Sequence, residues 1–467
     1  MSKEYAQTPT EFRRVHFVGV AGSGMAGIAL VAHKSGIHVS GSDLHESTYV
    51  QALLDEGVTV TFEHKAANVV DPDIELVVVS TAIPSTNPEI IAATERGIPV
   101  WHRARMLAWL GKKHEVLAVA GTHGKTTTSA MLATALMELG ANPSFLIGGV
   151  LNAYETSARY SEGDFMVVEA DESDSSFVEL DPRLAIITNI EADHMDHFGS
   201  FHEIEQSFSA FLHKLHSEGI AIVCADSPGL LELVQESGKQ FISYGLDEKA
   251  HIRLDAKSQE VSFPNGEKVT LTLEKAPGLH NLLNATAALA ALDWLGFNLK
   301  ESAQTLGLYA GAHRRFDRIG EANGVAVIDD YAHHPTEVEA TLSAAQSLDF
   351  TAVHVLFQPH RFTRTQAFLA EFASAFDEAT TVTLLPIFTA GEALIPGIDS
   401  SRMLRMIKEH NPEVRIRLIE DCAQAVKAMA NLAEPGSSII TMGAGDVTSL
   451  APEILAELEK KGQNGSS

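Results

Sequence analysis

Two glycine-rich stretches in the sequence have the spacing of loops that bind phosphate groups. The first is GVAGSGMAG at residues 19–27, and the second is AGTHGKTTT at residues 120–128. Each follows a short apolar run and leads into a helix-like segment. Glycines let the backbone turn sharply, so that N–H groups and the positive end of a helix approach a phosphate. Each loop is therefore a candidate phosphate site.

The first loop has the features of a dinucleotide or nucleotide-sugar site. Its candidate ligand-binding residues are Gly22, Ser23, Gly24 and Met25. Asp43, 19 residues beyond Gly24, stands where a carboxylate that binds a ribose is expected. These residues alone leave NAD, FAD and a sugar nucleotide open as ligands. The alternative without a ligand is a tight glycine turn.

The second loop resembles a P-loop, although Val119 occupies the position of the first glycine in the general pattern. The remaining residues still supply backbone donors, a lysine for phosphate and a hydroxyl for a metal ion. The candidates are Gly121, Thr122, His123, Gly124, Lys125, Thr126 and Thr127. A plain Gly-Lys turn at a helix start is the alternative.

Acidic and histidine residues follow the next two predicted strands. VVEADESDSSF brings Glu169, and TNIEADHMDHF brings His194 among further acids. Carboxylates at the carboxyl end of a strand beside a P-loop are suited to binding Mg²⁺. We therefore expect Thr126 and Glu169 to serve a metal site and His194 to bind a metal or a phosphate; a solvated acidic loop and a structural histidine are the alternatives.

The last third of the chain holds a cluster of cationic and imidazole side chains. DDYAHHPTE and FQPHRFTRT end two predicted strands and contain His333, His334, His360, Arg361 and Arg364. Planar guanidinium groups bind carboxylates through paired hydrogen bonds. The sequence has 61 acidic and 34 basic side chains, so a cluster of cations in it indicates a carboxylate site.

The elements that must position these residues alternate between short β-branched runs and helical segments, which predicts parallel sheets in an α/β fold. We predict strands near 15–20, 58–62, 75–82, 116–122, 164–171, 184–190, 220–225, 324–330, 352–358, 381–386, 415–419 and 437–442. Short strands around the turn FPNGEK predict a small antiparallel addition between residues 240 and 275. The length of 467 residues calls for several domains, and we place them at 1–113, 114–312 and 313–467.

Composition excludes several classes of partner. The 34 basic and 61 acidic side chains give a net charge of -27, which disfavours binding to nucleic acid. No apolar run is long enough for a membrane span, and the N-terminus does not resemble a signal peptide. Cys224 and Cys422 each lie in an apolar segment, so we expect two buried thiols and a cytoplasmic protein. The assembly is left open, with a homodimer among the alternatives.

Taken together, the motifs resemble those of the Mur ligase family, the ATP-dependent amide-forming enzymes of peptidoglycan precursor synthesis. GTHGKTTT, EADESD, TNIEADHMD, GLHNLLNA, HRRFD, DDYAHHPTE and FQPHRFTRT stand in the family's order. The missing first glycine is the family's own form of the loop. The N-terminal loop and FQPHRFTRT are most similar to the branch that adds L-alanine to UDP-N-acetylmuramate. In the branch that adds a tripeptide, the HRFTR core is expected to be absent.

The resemblance implies three α/β domains with mainly parallel sheets: a Rossmann-like domain, a P-loop ATPase-like domain and a second Rossmann-like domain. It implies UDP-N-acetylmuramate, L-alanine and ATP as substrates, with two Mg²⁺ ions, and Lys125, Glu169, His194 and Arg315 as catalytic residues. It also implies that ATP contacts His280, Asn281, Asn284 and Asp330, and that Tyr331, His334, His360, Arg361 and Arg364 serve the substrates. Two alternatives remain. One is a nucleotide-binding regulator without catalysis, which the intact catalytic residues disfavour. The other is an NAD-dependent oxidoreductase, which would leave the P-loop unexplained.

Overall fold

The computed structural model describes residues 11–193 and 198–464. It contains three sheets, whose strands lie within residues 14–102, 115–270 and 317–442. Each sheet is mainly parallel and is packed with helices, so the predicted α/β class is confirmed. Every strand predicted from the sequence is present, within a few residues of its predicted bounds.

The first sheet has five parallel strands in the order β3-β2-β1-β4-β5. The order reverses between β1 and β4, where open parallel sheets leave a crevice for ligands. The elements are β1 (Arg14–Val18), α1 (Ser23–Lys34), β2 (His38–Ser42), α2 (Thr48–Asp55), β3 (Thr59–Thr61), β4 (Leu76–Val79), α3 (Pro88–Glu95), β5 (Val100–His102) and α4 (Arg103–Gly111), with a 3-10 turn at Ala66–Val69.

The second sheet has ten strands in the order β15-β14-β13-β12-β11-β10-β6-β9-β7-β8. The predicted antiparallel addition is confirmed for β13 to β15, whereas β12 continues the parallel part. The elements are β6 (Glu115–Ala120), α5 (Lys125–Glu138), β7 (Ser144–Leu151), β8 (Thr156–Arg159), β9 (Phe165–Glu169), β10 (Leu184–Ile187), α6 (Phe201–Lys214), β11 (Ile220–Cys224), α7 (Leu230–Glu236), β12 (Phe241–Gly245), β13 (Ile252–Asp255), β14 (Glu260–Ser262), β15 (Lys268–Thr270), α8 (Leu279–Trp294) and α9 (Leu299–Gly307), with a 3-10 turn at Ser176–Glu179.

The third sheet has six strands in the order β16-β17-β21-β18-β19-β20, of which only the β16–β17 pair is antiparallel. The elements are β16 (Asp317–Ala322), β17 (Val325–Asp330), α10 (Pro335–Gln346), β18 (Val353–Phe357), α11 (Phe362–Ala367), α12 (Glu371–Ser374), β19 (Thr381–Leu384), α13 (Ser400–His410), β20 (Arg415–Leu418), α14 (Cys422–Leu432), β21 (Ser438–Met442) and α15 (Leu450–Asn464), with a 3-10 turn at Asp446–Ser449.

The helices begin in two different ways, and the difference bears on ligand binding. Side chains cap several helices: Ser47 accepts from Val50 N at the start of α2, and Asp399 accepts from Arg402 N at the start of α13. Helices α1 and α5 instead follow Gly22 and Gly124 and have no side-chain cap. Their first N–H groups thus remain available for an anion.

The parallel strand order gathers the predicted site residues at single sheet edges. In the second sheet, β6 ends at the second glycine loop, and its neighbours β9 and β10 end at the two acidic motifs. In the third sheet, β17 and β18 end at the two histidine motifs and flank β21. The carboxyl ends of neighbouring parallel strands meet, so residues distant in sequence converge.

The prediction of two buried thiols is wrong for one residue. Cys224 is buried at the end of β11, but Cys422 is exposed, because it is the first residue of α14 and lies on the solvent side. Both are free. Across residues 11–193 and 198–464, none of the helices combines the length and the apolar character that a bilayer crossing would need.

Candidate functional site

A cavity of about 530 Å³ begins at the first glycine loop and extends to the second sheet. Its lining from the first domain includes Gly22, Ser23, Gly24, Met25, Asp43, His64 and Arg103, and its lining from the second includes Gly148, Glu169 and Asp171. All five residues predicted for the first ligand therefore face one space. That space also reaches the predicted metal-binding carboxylate of Glu169.

The end of strand β2 holds the first glycine loop in place. Gly19 N and Val20 N donate to the carbonyl of Ser42 at 2.8 and 3.0 Å, and Ala21 N donates to Asp43 Oδ2 at 2.8 Å. Asp43 Oδ1 accepts from Leu44 N and His45 N. Both oxygens of Asp43 are thus engaged by backbone, and Asp43 shapes the loop as well as lining the cavity.

Arg103 is a cation in this cavity that was not among the predicted site residues. It begins helix α4 directly after β5, and its guanidinium lies 3.1 Å from Asp174 Oδ2 and 4.0 Å from Asp171 Oδ2. Thr81 Oγ1 also donates to Asp174. These contacts join the first and second domains across the cavity, with a positive group directed at the space between them.

The second glycine loop has the tight backbone that a phosphate cradle requires. Gly121 and Gly124 have φ angles of +131° and +82°. A Cβ atom at Gly121 would lie 2.1 Å from Thr188 Oγ1, and one at Gly124 would lie 2.6 Å from Asn284 Oδ1. Both positions therefore require glycine. Asn189 fixes the loop between them, because its carbonyl and its Oδ1 accept from Thr122 N and His123 N.

Lys125 is held by its own loop and by an acid. Its ammonium donates to the carbonyls of Gly121 and Thr122 at 2.7 and 3.1 Å and lies 2.8 Å from Glu172 Oε2. Burial raises the pKa of the Glu172 carboxyl to about 7 even though the Lys125 charge opposes that shift. Glu172 is therefore poorly solvated and holds the lysine in a place where a phosphate could replace the carboxylate.

The side chains of Thr126, Glu169 and Arg315 form a connected set. Thr126 Oγ1 donates to Glu169 Oε1 at 3.0 Å and accepts from Arg315 Nη2 at 3.2 Å. Gly148 N donates to Glu169 Oε2 at 2.6 Å. A hydroxyl and a carboxylate are the hard oxygen donors that Mg²⁺ prefers, so these residues fit such an ion. His194, the third predicted metal ligand, lies outside the described residues.

A second cavity, of about 300 Å³, is lined by the second loop. Its lining includes residues predicted to contact ATP: His123, Gly124, Thr127, His280, Asn281, Asn284, Arg315 and Asp330. Cys224, Tyr244 and Tyr309 also line it. Burial lowers the pKa of His280 to about 4, so its ring is neutral at physiological pH. Asp330 is buried, and its two oxygens accept from Phe316 N and Ala332 N.

His123 connects the second and third domains through ion pairs. Its Nδ1 lies 3.1 Å from Glu337 Oε1, and its Nε2 lies 3.4 Å from Glu191 Oε2. Although burial opposes it, hydrogen bonds to Glu191 and Glu337 raise the pKa of His123 to about 9. His123, Glu191 and His334 could also hold a metal ion, but a protonated His123 makes this cluster an ion-pair network at neutral pH.

The predicted carboxylate site divides into two places. His360 Nδ1 lies 3.3 Å from Arg364 Nη1, and the His333 and His360 ring centres are 5.9 Å apart. Arg364 also contacts Asp193 Oδ1 at 3.4 Å. His334 lies elsewhere: its ring centre is 4.9 Å from that of His123.

Two further residues predicted for the substrates lie at the margin of this cluster. Arg361 Nε is 3.8 Å from Glu392 Oε1, and about a third of the Arg361 side chain is exposed. The Tyr331 ring packs under the guanidinium groups of Arg314 and Arg315, at 4.5 and 5.1 Å. Tyr331 therefore packs against Arg314 and Arg315, and it lines neither cavity.

Sequence reasoning missed the residues that position the predicted ones. Glu172, Asn189 and Glu337 lie inside the recognised motifs, as their predicted neighbours do, whereas Arg103 follows β5, a strand that was not predicted. His333 belongs to the predicted cationic cluster, but His334 rather than His333 was predicted to bind the substrates. Consecutive residues at a helix start point in different directions, and the sequence does not show which one faces Arg364.

Three family models match the chain in succession. The model described as Mur ligase family, catalytic domain, matches residues 14–115; Mur ligase middle domain matches 119–292; and Mur ligase, glutamate ligase domain, matches 314–445. Two relatives are named UDP-N-acetylmuramate--L-alanine ligase. The one from Methylobacterium nodulans is 40% identical over 98% of this chain and 99% of its own length. The one from Pelotomaculum thermopropionicum is 41% identical over 97% and 99%.

Solved structures resemble the chain over nearly its whole length. The UDP-N-acetylmuramate-alanine ligase of Thermotoga maritima superposes with a TM-score of 0.79 at 28% identity, covering 96% of this chain and 99% of that one. A murein peptide ligase from Psychrobacter arcticus gives a TM-score of 0.69 at 25% identity with the same coverage. The resemblance inferred from the motifs is thus confirmed, and the chain belongs to the Mur ligase family.

Proposed function

We propose that the chain is an ATP-dependent ligase that joins L-alanine to the lactyl carboxylate of UDP-N-acetylmuramate, in peptidoglycan precursor synthesis. The observation that carries the proposal is the path of the first cavity, which runs from the first glycine loop to Glu169. Glu169 is hydrogen-bonded to Thr126 of the second loop. A sugar nucleotide on the first loop would thus direct its carboxylate at the terminal phosphate of ATP on the second.

In the first step, a lactyl carboxylate oxygen attacks the γ-phosphorus of ATP. The bond from that phosphorus to the bridging oxygen breaks, ADP leaves, and an acyl phosphate forms. The reacting groups are all anions, so catalysis depends on positioning and on neutralising charge. Lys125 would bind the β- and γ-phosphates in exchange for Glu172, and Arg315 would reach the γ-phosphate.

Two Mg²⁺ ions are part of the proposal. Bound metal would neutralise phosphate charge as the acyl phosphate forms. Thr126 and Glu169 would hold one ion, and Glu169 with His194 would hold the second. Gly148 N–H fixes the second carboxylate oxygen of Glu169, so the carboxylate keeps one orientation.

In the second step, the amine of L-alanine attacks the acyl carbon. The bond from that carbon to the phosphate oxygen breaks, phosphate leaves, and the amine nitrogen gives up its proton to the departing phosphate. Arg364 would hold the amino-acid carboxylate beside His360, with the more exposed Arg361 at the margin of the same cluster. Burial and the neighbouring guanidinium groups lower the pKa of His360 to about 4, so a neutral ring can accept a hydrogen bond.

The rest of the nucleotide would occupy the second cavity. His280, Asn281 and Asn284 would surround the adenine, and Asp330 would lie near the ribose. Asn284 Nδ2 donates to Asn281 Oδ1, and Asn281 Nδ2 donates to the Pro277 carbonyl, so both amides have fixed orientations. His334 and Glu337 would lie near the phosphates, next to His123.

The experiment that tests this function is phosphate release from ATP, measured with each substrate omitted in turn. We expect release only when UDP-N-acetylmuramate and an amino acid are both present. L-alanine, L-serine, glycine and the tripeptide should be compared by kcat/KM. A higher kcat/KM for the tripeptide would assign the chain to the recycling reaction instead, and no release with any of them would favour a regulator.

Isotope transfer tests the acyl phosphate directly. UDP-N-acetylmuramate labelled with ¹⁸O in its lactyl carboxylate should pass one labelled oxygen to the released phosphate. This follows because the attacking oxygen leaves with phosphorus in the second step. Unlabelled phosphate, with product formed at the normal rate, would contradict the mechanism.

A further inference from the structure

The first domain contains a buried carboxylate that the proposed mechanism does not use. Glu89 lies in the first turn of α3 and is fully buried. Burial alone would raise its pKa, but hydrogen bonds from His16, Ser42 and Asn68 outweigh burial and lower it. The domain therefore keeps a charged group in its interior, which is costly unless the group is closely surrounded by donors.

One oxygen of Glu89 is tied to the strand that holds the first glycine loop. Ser42 Oγ donates to Glu89 Oε2 at 2.6 Å, and His16 Nε2 lies 3.5 Å from the same oxygen. Ser42 is the residue whose carbonyl accepts from Gly19 N and Val20 N. The position of the glycine loop thus depends on a residue that Glu89 binds.

The other oxygen of Glu89 accepts hydrogen bonds from the segment that follows His64. Lys65 N donates to Oε1 at 3.2 Å, and Asn68 Nδ2 donates to the same oxygen. His64 precedes this turn, with its Nδ1 3.1 Å from Ser42 Oγ and 3.6 Å from Glu89 Oε1. His64 lines the first cavity together with Asp43.

We propose that Glu89 is a positioning residue for the sugar nucleotide, because it fixes both the glycine loop, through Ser42, and His64, which faces the ligand. Glu89 touches no substrate. Its two oxygens hold Ser42 and the segment next to His64 together, so both are positioned before the ligand arrives. The proposal rests on the function proposed above, since it concerns the binding of UDP-N-acetylmuramate.

The test compares Glu89→Gln with the wild-type enzyme. An amide of the same shape cannot accept hydrogen bonds on both sides, so the donors on one side lose their acceptor. We expect the KM for UDP-N-acetylmuramate to rise about 10-fold or more, with the KM for ATP changed less than about 2-fold. Calorimetry with UDP-N-acetylmuramate alone should show the same loss of affinity.

A matched control separates positioning from simple loss of stability. Leu53→Ala removes apolar packing from helix α2 in the same domain, where Leu53 is almost fully buried. It should lower the melting temperature and leave both KM values unchanged. If Glu89→Gln lowers the melting temperature like Leu53→Ala and keeps the wild-type KM for the sugar nucleotide, Glu89 is only structural and the proposal is wrong.

A second variant covers the case in which Glu89→Gln does not fold. Ser42→Ala leaves the buried carboxylate and the Ser42 carbonyl in place and removes only the hydroxyl between them. A raised KM for UDP-N-acetylmuramate would support the proposal, and a wild-type KM would overturn it. Failure of the proposed function is recognised separately, because the wild-type enzyme itself would then show no turnover with this substrate.

Discussion

Single side chains at the second loop determine whether phosphate charge can be neutralised. Replacement of Lys125 by Ala removes the ammonium, and a lost contact of this kind costs about 10²- to 10³-fold in rate. We therefore expect kcat of Lys125→Ala to fall by that factor. The fold should persist, because the pKa of Glu172 is already raised to about 7 and its carboxyl can take up a proton once Lys125 is absent.

Steady-state kinetics and thermal melting check this expectation together. Lys300→Ala is a suitable control, since Lys300 is an exposed lysine outside both cavities. A folded Lys125→Ala enzyme with near-normal kcat would show that Lys125 is not the phosphate ligand.

The two arginines of FQPHRFTRT have unequal surroundings and should respond unequally to substitution. Lysine keeps the charge of arginine but loses its planar pair of donors. Arg364 is mostly buried between His360 and Asp193, whereas Arg361 is more exposed beside Glu392. We expect either lysine variant to raise the KM for L-alanine or lower kcat by at least about 10-fold, with the larger effect at Arg364.

ATP affinity of the free enzyme should change little in both variants. The measurement is made at saturating Mg²⁺, with Arg402→Lys on the exposed face of α13 as the control. Normal alanine kinetics combined with lost ATP binding would assign these arginines to the nucleotide.

At the scale of elements, the loop after β2 and the first glycine loop act as one unit. Asp43→Ala removes the acceptor of Ala21 N and of two further backbone N–H groups. Affinity for UDP-N-acetylmuramate should fall about 10-fold, and ATP affinity should stay constant, because the second loop lies in another domain. Calorimetry with each nucleotide checks this, with Asp55→Ala in α2 as control. An equal loss of affinity for UDP-N-acetylmuramate and for ATP would contradict the assignment of one loop to each ligand.

Strand β7 contributes a backbone contact that depends on a glycine. A Cβ atom at Gly148 would lie 2.6 Å from Glu169 Oε1, where the backbone N–H now holds the carboxylate. Gly148→Ala should therefore displace Glu169 and raise the Mg²⁺ concentration needed for half-maximal activity by about 10- to 100-fold. Activity measured across Mg²⁺ concentrations tests this, and an unchanged requirement would place the metal away from Glu169.

Most of the predicted strands are apolar on both faces, because a buried parallel strand reads as a continuous apolar run. The missed strands include β7, where Gly148 and Gly149 interrupt the run, and β2, whose HVSGS is polar in sequence although Ser42 is buried. These two missed strands position the site. The motifs predicted which residues gather at the sheet edges, but not that Asp43 binds backbone or that His333 rather than His334 lies beside His360.

For the whole molecule, the charge of His123 contributes to the contact between the second and third domains, beside the Arg315–Thr126 and Arg364–Asp193 contacts. The pKa of His123 is about 9, against an ordinary value of 6.5. Because the folded value is raised, the stabilisation is complete below about pH 6.5 and is lost as the pH rises through about 9. The groups that face His123 are Glu191, Glu337 and the His334 ring.

We therefore expect the nucleotide-free enzyme to become more extended between pH 7 and pH 10, as measured by its radius of gyration in X-ray scattering. His123→Asn should remove this pH dependence. A radius that stays constant in the wild-type enzyme, or that shrinks with rising pH, would show that the His123 ion pairs do not hold the domains together.

The acidic loop at residues 171–174 has a consequence for how affinities are to be read. It supplies carboxylates to Lys125 in the second domain and to Arg103 from the first. A phosphate that binds either cation must first displace an internal anion, so binding is an exchange of one negative partner for another. A measured dissociation constant then reports the difference between the free energies with which the cation binds the phosphate and the internal carboxylate. Weak measured binding is therefore compatible with a strong contact between the phosphate and the cation. While no substrate is bound, the same carboxylates hold Lys125 and Arg103 in position and compete with other anions from solution.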